Sequence, residues 1–133
     1  MITAVDTSVL VDIFGADPIF GERSAETIRR CLSEGALVAC EAVWAETATV
    51  FRQDSAFLEA MRILEVVFLP MARDTALRAA TAWRRYRAHG GKRDRMAADF
   101  LIGAHALVQC DRLLTRDRGF YRNYFHRLKI IDP

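Results

Sequence analysis

Short apolar runs alternate with longer stretches of helical periodicity along this chain. ITAVD (2–6), ALVAC (36–40), VVFLP (66–70), RLLT (112–115) and LKIID (128–132) are brief, apolar and bounded by polar residues, so they read as buried strands. Thr7 or Ser8 can cap a short helix over SVLVDIF, and GADP (15–18) marks a turn. Residues 22–34 place Ile28 and Leu32 one helical turn apart and stop at Gly35. Residues 42–53 and 55–65 carry two more helical patterns. Asp74 stands where it can cap a long helix, TALRAATAWRRYRAH, that ends at Gly90–Gly91. A helix over about 94–110 follows, and DRGFYRNYF makes a short helix or turn before the last strand. Strands alternating with helices predict a parallel sheet covered on both faces, with ligand sites at the carboxyl ends of the strands.

Composition narrows the class. The chain has 133 residues, 52% hydrophobic and 27% charged, with mean hydropathy +0.05, enough to bury the core of one ordinary domain spanning 1–133. No apolar run reaches the roughly 20 residues of a membrane span, and the start MITAVDTSVLVD lacks a basic leader, so a cytoplasmic protein is expected. Cys31, Cys40 and Cys110 share no CxxC spacing and lie in or beside apolar segments; they read as buried free thiols. The net charge of +2 conceals an asymmetry. Residues 1–65 hold five Lys and Arg against eleven Asp and Glu, a balance of −6, whereas residues 66–133 hold fourteen against six, a balance of +8. Two solvated faces would account for this; so would an acidic site beside a basic surface that holds an anionic polymer.

The carboxylates carry the chemistry. Asp99 lies in RMAADFLIGAHALVQC, where its helical neighbours are Met96, Ile102, Gly103 and Ala106. An ionised carboxylate on so apolar a face needs compensation. Asp94 suits the role of a helix-start acid better than Asp99, which leaves a metal or a basic partner as the economical explanation for Asp99. Asp6 ends the first strand and Asp117 follows the fourth; each reads equally as a helix cap or as a ligand-binding acid at a strand tip. Glu46 is on the Val43 and Val50 side of its helix, whereas Glu41 sits at the helix start, where the macrodipole explains it. Two acids at strand ends and two on helices bordering the same sheet edge would repel one another without a cation, and hard cations take oxygen ligands.

Four stretches in order, VDTSVLVD (5–12), VWAE (43–46), ADFLIGAHAL (98–107) and LLTRDRGF (113–120), resemble the PIN-domain ribonucleases, and within them the VapC-like toxins of toxin–antitoxin pairs. The resemblance covers nearly the whole chain. It implies a three-layer α/β/α domain with a short, mainly parallel five-stranded sheet. It makes Asp6, Glu46, Asp99 and Asp117 both the catalytic acids and the metal ligands, with Ser8 and Thr115 as supporting polar positions. It further implies Mg²⁺- or Mn²⁺-dependent endoribonuclease activity with one or two ions, a small antitoxin partner and a homodimer. Gly103 departs from the usual alanine.

Outside the acids, WRRYRAHGGKRDR (83–95) offers Arg84, Arg85, Arg87, Lys92 and Arg93 as candidate RNA contacts, with Trp83 and Tyr86 packing on the sheet or, for Tyr86, stacking a base. Arg116 and Arg118 flank Asp117 and are candidates too, or else neutralise the acid cluster. His89, His105 and His126 lack metal-site spacing. Phe57, Met61, Leu64 and Phe68 exceed what one sheet face needs and are candidates for a dimer or antitoxin surface. Two further readings stay open: a PIN-fold module that binds RNA or protein without cutting, and a PIN nuclease of RNA maturation. A receiver-type phosphoacceptor would want an acidic neighbour for Asp6 and a lysine ending the last strand, and has neither.

Overall fold

The computed structural model describes residues 1–92 and 97–133; Arg93 and Asp94 lie outside them. In chain order the elements are β1 (Ile2–Val5), α1 (Thr7–Phe14), α2 (Gly21–Glu34), β2 (Ala36–Ala39), α3 (Glu41–Ala48), α4 (Asp54–Ile63), β3 (Val66–Phe68), α5 (Arg73–Ala88), α6 (Ala97–Gln109), β4 (Arg112–Leu114), α7 (Arg118–Tyr124) and β5 (Ile130–Ile131). The strands form a sheet ordered β3-β2-β1-β4-β5, and every adjacent pair is parallel. Val5 pairs with Leu114 and Ala4 with both Val38 and Leu113, so β1 is the central strand. Helix contacts fall into two groups, α1–α4 and α5–α7, joined where α3 meets α6. The grouping follows the strand order: the chain moves one way from β1 to β3, then returns past β1 to β4.

That reversal puts a switch point between β1 and β4, with Asp6 and Thr115 immediately beyond the carboxyl ends of the two strands. The strands are apolar on both faces because both are covered; Ala4, Val5, Leu37, Val38, Leu113 and Leu114 are all buried. On one side Phe100 is packed by Trp83, whose ring stacks on it at 5.4 Å, and by Tyr86 and Phe120 edge-on. Trp83 thus packs on α6, and Tyr86 on α6 and on Tyr124 of α7.

Several predicted boundaries move. The helix expected over 42–53 ends at Ala48: Val50 and Phe51 donate to the carbonyls of Thr47 and Ala48, three residues back, and the Thr49 hydroxyl donates to the Glu46 carbonyl. Phe51 is thereby turned onto Phe14 and Phe57. Asp6, not Thr7 or Ser8, caps α1, its Oδ1 accepting from the Thr7 backbone at 2.8 Å. Asp74 does not cap α5; the Gln109 carboxamide holds that helix start, accepting from Ala72 N and Thr75 Oγ1 and donating to the Pro70 carbonyl. Phe57 and Met61 are core residues, so the surplus apolar surface of this region falls instead on Leu58, Ile63, Val67 and Phe68. Gly103 is required: a Cβ there would overlap the Phe125 ring, which lies against α6.

Candidate functional site

β1 delivers Asp6 to the switch point with only 6% of its surface exposed. Its carboxylate is held by neutral donors. The Thr7 backbone donates to Oδ1, the Thr115 hydroxyl to Oδ2 at 2.7 Å, and the Tyr121 phenol to Oδ2 at 3.4 Å. Burial pushes the Asp6 carboxyl up to about 6, against an ordinary value of 3.8; the hydrogen bonds pull it back, and the charges of Asp99 and Glu46 raise it again. Three of the four predicted acids thus share one electrostatic field.

Asp117 joins them through Thr115 and Tyr121. The Thr115 hydroxyl donates to Asp6 and accepts from the Asp117 backbone at 3.0 Å, so one side chain ties the tips of β1 and β4 together. Asp117 occupies the N-cap position of α7 but makes no capping hydrogen bond with its carboxylate. Tyr121, one helical turn later, is fully buried, and its phenol is pushed well above 10 by burial and then by Asp6, Asp99 and Asp117 together. Glu46 is aimed from α3 by the Thr7 hydroxyl, which donates to its Oε1 at 2.7 Å. Asp99 stands on α6, two residues after its first described residue, Ala97.

Whether these residues fit a cation is a matter of donor type and orphaned groups. The donors are carboxylate and hydroxyl oxygens, the set that Mg²⁺ and Mn²⁺ take. The Ser8 hydroxyl is buried without a hydrogen-bond partner, a hydroxyl left available two residues after Asp6. Among the described residues no group of three or more His, Cys, Asp or Glu is arranged to hold a metal ion by itself.

The sequence missed Thr7 as the holder of Glu46, Tyr121 as the group facing three acids, and Asp12. Asp12 is buried in α1 and accepts two hydrogen bonds from Arg116, 2.7 Å from Nε and 3.0 Å from Nη2. Its signal was available: like Asp99, it is an acid inside an apolar run, VLVDIF. Tyr121 was legible as the residue four after Asp117. Arg116 pairs with Asp12, and Arg118 with Asp132 at 3.3 Å. Arg87 lies over the Trp83 ring and Arg85 over Tyr124, while Arg84 and Lys92 are exposed. Arg93 falls outside the described residues. His105 contacts the Leu69 carbonyl at 3.0 Å, and burial lowers its basicity. The three cysteines are free.

A parallel α/β domain with acids gathered where the sheet reverses direction defines the class. The chain belongs to the PIN domain family, whose sequence model matches residues 3–126. No curated protein sequence matches it. Among solved structures it is similar to a chain of VapBC2 from Rickettsia felis bound to a DNA fragment from its promoter, with a TM-score of 0.79 at 14% identity, covering 99% of this chain and 98% of that one. It is similar to a chain of VapBC-1 from nontypeable Haemophilus influenzae, with a TM-score of 0.75 at 19% identity over 99% and 98% of the two chains. FitAcB from Neisseria gonorrhoeae gives 0.68 at 20% identity over 98% and 96%. At these identities the likeness establishes the fold.

Proposed function

We propose that this chain is a Mg²⁺- or Mn²⁺-dependent endoribonuclease and the toxin of a toxin–antitoxin pair. The observation that carries the reading is Asp6: a buried carboxylate at the sheet switch point, held by neutral donors, with Asp99 and Glu46 adding charge of its own sign. Asp6, Glu46, Asp99 and Asp117 are the residues that would hold the ion. When bound, the cation neutralises charge on the phosphodiester and acidifies water for attack. The protein's own part is positioning. Thr115 fixes Asp6 and the backbone of Asp117, Thr7 aims Glu46, and Tyr121 keeps its proton and donates to Asp6. Cleavage runs by water, without a covalent enzyme intermediate.

The partners follow from the same reading. RNA is the substrate, and the excess of basic residues in the second half supplies affinity for it. The solved structures that share the fold are complexes of VapBC and FitAB type, which supports a small antitoxin as partner. The chain acts as a homodimer in the cytoplasm. Among the described residues no helix is long and apolar enough to cross a membrane. The test is cleavage of a mixed RNA pool by purified chain with Mn²⁺. Cutting that stops with chelator and in Asp99→Asn is the expected result. RNA that is bound by the wild type yet left intact with Mn²⁺ present sinks the nuclease and leaves a binding module.

A further inference from the structure

Arg116 and Arg118 flank Asp117 in the chain and pair with Asp12 and Asp132. With Phe20, Arg23, Asp132 and Pro133 they line a cavity of about 260 Å³. We propose that this cavity is a phosphate subsite, which holds the backbone of a single-stranded nucleic acid next to the acidic site. This rests on the RNA-cleaving reading above.

The subsite is built from beneath. Buried Asp12 takes Nε and Nη2 of Arg116, which fixes the guanidinium plane and leaves the Nη1 donors for a ligand. The same guanidinium lies 4.3 Å from the centre of the Phe20 ring, and that of Arg23 lies 5.6 Å from it. Arg23 is steadied by the Pro133 main-chain oxygen at 2.9 Å. Arg118 pairs with Asp132, an exposed ion pair of the kind that contributes little and is readily exchanged for another anion. The lining thus holds three guanidiniums, of which Arg116 is balanced by Asp12 from beneath and Arg118 by Asp132. The chemistry selects phosphate over base, because Phe20 is already engaged by two guanidiniums and makes a poor stacking platform. Such a contact positions a strand without reading its sequence. Arg116 and Arg118 bracket Asp117 in the chain, which ties the subsite to the acidic site.

The test is binding of a short labelled single-stranded RNA to metal-free protein across a salt series, so that cleavage plays no part. Arg23→Gln combined with Arg118→Gln is compared with wild type and with Arg62→Gln, an exposed arginine on α4 near the opposite end of the sheet. Arg116 is left in place, because its removal strands buried Asp12. The expected result is a salt slope shallower by about 0.7 for each phosphate that goes unneutralised, or about 1.4 in the double variant, and unchanged in Arg62→Gln. Wild-type binding with an unaltered slope in the double variant, or an equal loss in Arg62→Gln, overturns the subsite and leaves the nuclease reading standing. Wild type that binds no RNA overturns both. A poly-glutamate peptide that binds wild type more tightly than the RNA, and loses that binding in the double variant, reassigns the cavity to an acidic protein segment.

Discussion

Asp6 caps the short helix α1 and Asp12 lies within it, six residues on; both are nearly excluded from water, at 6% and 4% exposure. Their surroundings are opposite. Asp12 meets a guanidinium in two-point contact, so its charge is balanced where it lies. Asp6 meets a backbone amide, a threonine and a tyrosine, all neutral, while Asp99 and Glu46 add negative charge nearby. On β4, Arg112 repeats the balanced case, with Thr3 accepting from Nε and Glu34 from Nη2. Burial alone therefore does not mark a functional acid. On the proposed function, the mark is a buried charge that the fold surrounds with dipoles and like charge, where a cation would neutralise it.

Substitution at the two sites should separate these roles. Asp6→Asn and Asp99→Asn are each expected to lower RNA cleavage by more than the roughly 100-fold that outer partners of a metal ligand command, measured as initial rates with Mn²⁺. Activity within a few-fold of wild type in either would remove that acid from the site.

The next largest effect is on stability against pH. Because the Asp6 carboxyl is raised to about 6 in the fold, the folded state favours its protonated form. Its stabilising contribution is complete below the unfolded value near 3.8 and is lost as pH rises through about 6. At pH 7, metal-free Asp6→Asn should then be more stable than wild type by up to about 3 kcal/mol, a gap that closes toward pH 4. Denaturant melts of both proteins in chelator at the two pH values measure it, and a gap that widens on acidification contradicts the sign. Asp12→Ala should do the reverse. It leaves Arg116 unpaired and should cost about 2 kcal/mol, less than a fully buried pair because Arg116 retains some exposure. An unchanged melting point would show that Asp12 and Arg116 are not coupled in solution.

Tyr121→Phe is expected to have the smallest effect. It deletes one long hydrogen bond to Asp6 and should cost about 1 kcal/mol, with cleavage reduced less than in either acid variant. Cleavage lost as fully as in Asp6→Asn would promote Tyr121 from a positioning residue to one that takes part in the reaction.

Much of this was legible in the chain. Short apolar runs located all five strands, and the strand–helix alternation located their parallel pairing. The ends of elements were less legible, because they are decided by contacts distant in sequence. Gln109, thirty-seven residues from Ala72, starts α5, and Phe51 leaves α3 to join Phe14 and Phe57. The four acids were found as charges in apolar settings or at strand tips. The same rule should have raised Asp12, whose partner Arg116 is 104 residues away and invisible to local pattern. The resemblance to one family directed attention to the positions it names, and it passed over Thr7 and Tyr121, which bond to Glu46 and Asp6, and Asp12, which pairs with Arg116.

The central claim is that Asp6, Glu46, Asp99 and Asp117 form one cation site. Its most direct test is calorimetric titration of antitoxin-free protein with Mn²⁺ near pH 6, beside Asp99→Asn. The account predicts saturable binding in wild type, with proton release as Asp6 gives up its proton to the solvent on meeting the ion, and loss of that binding in the variant. Absence of binding in wild type, or equal binding in Asp99→Asn, would contradict it.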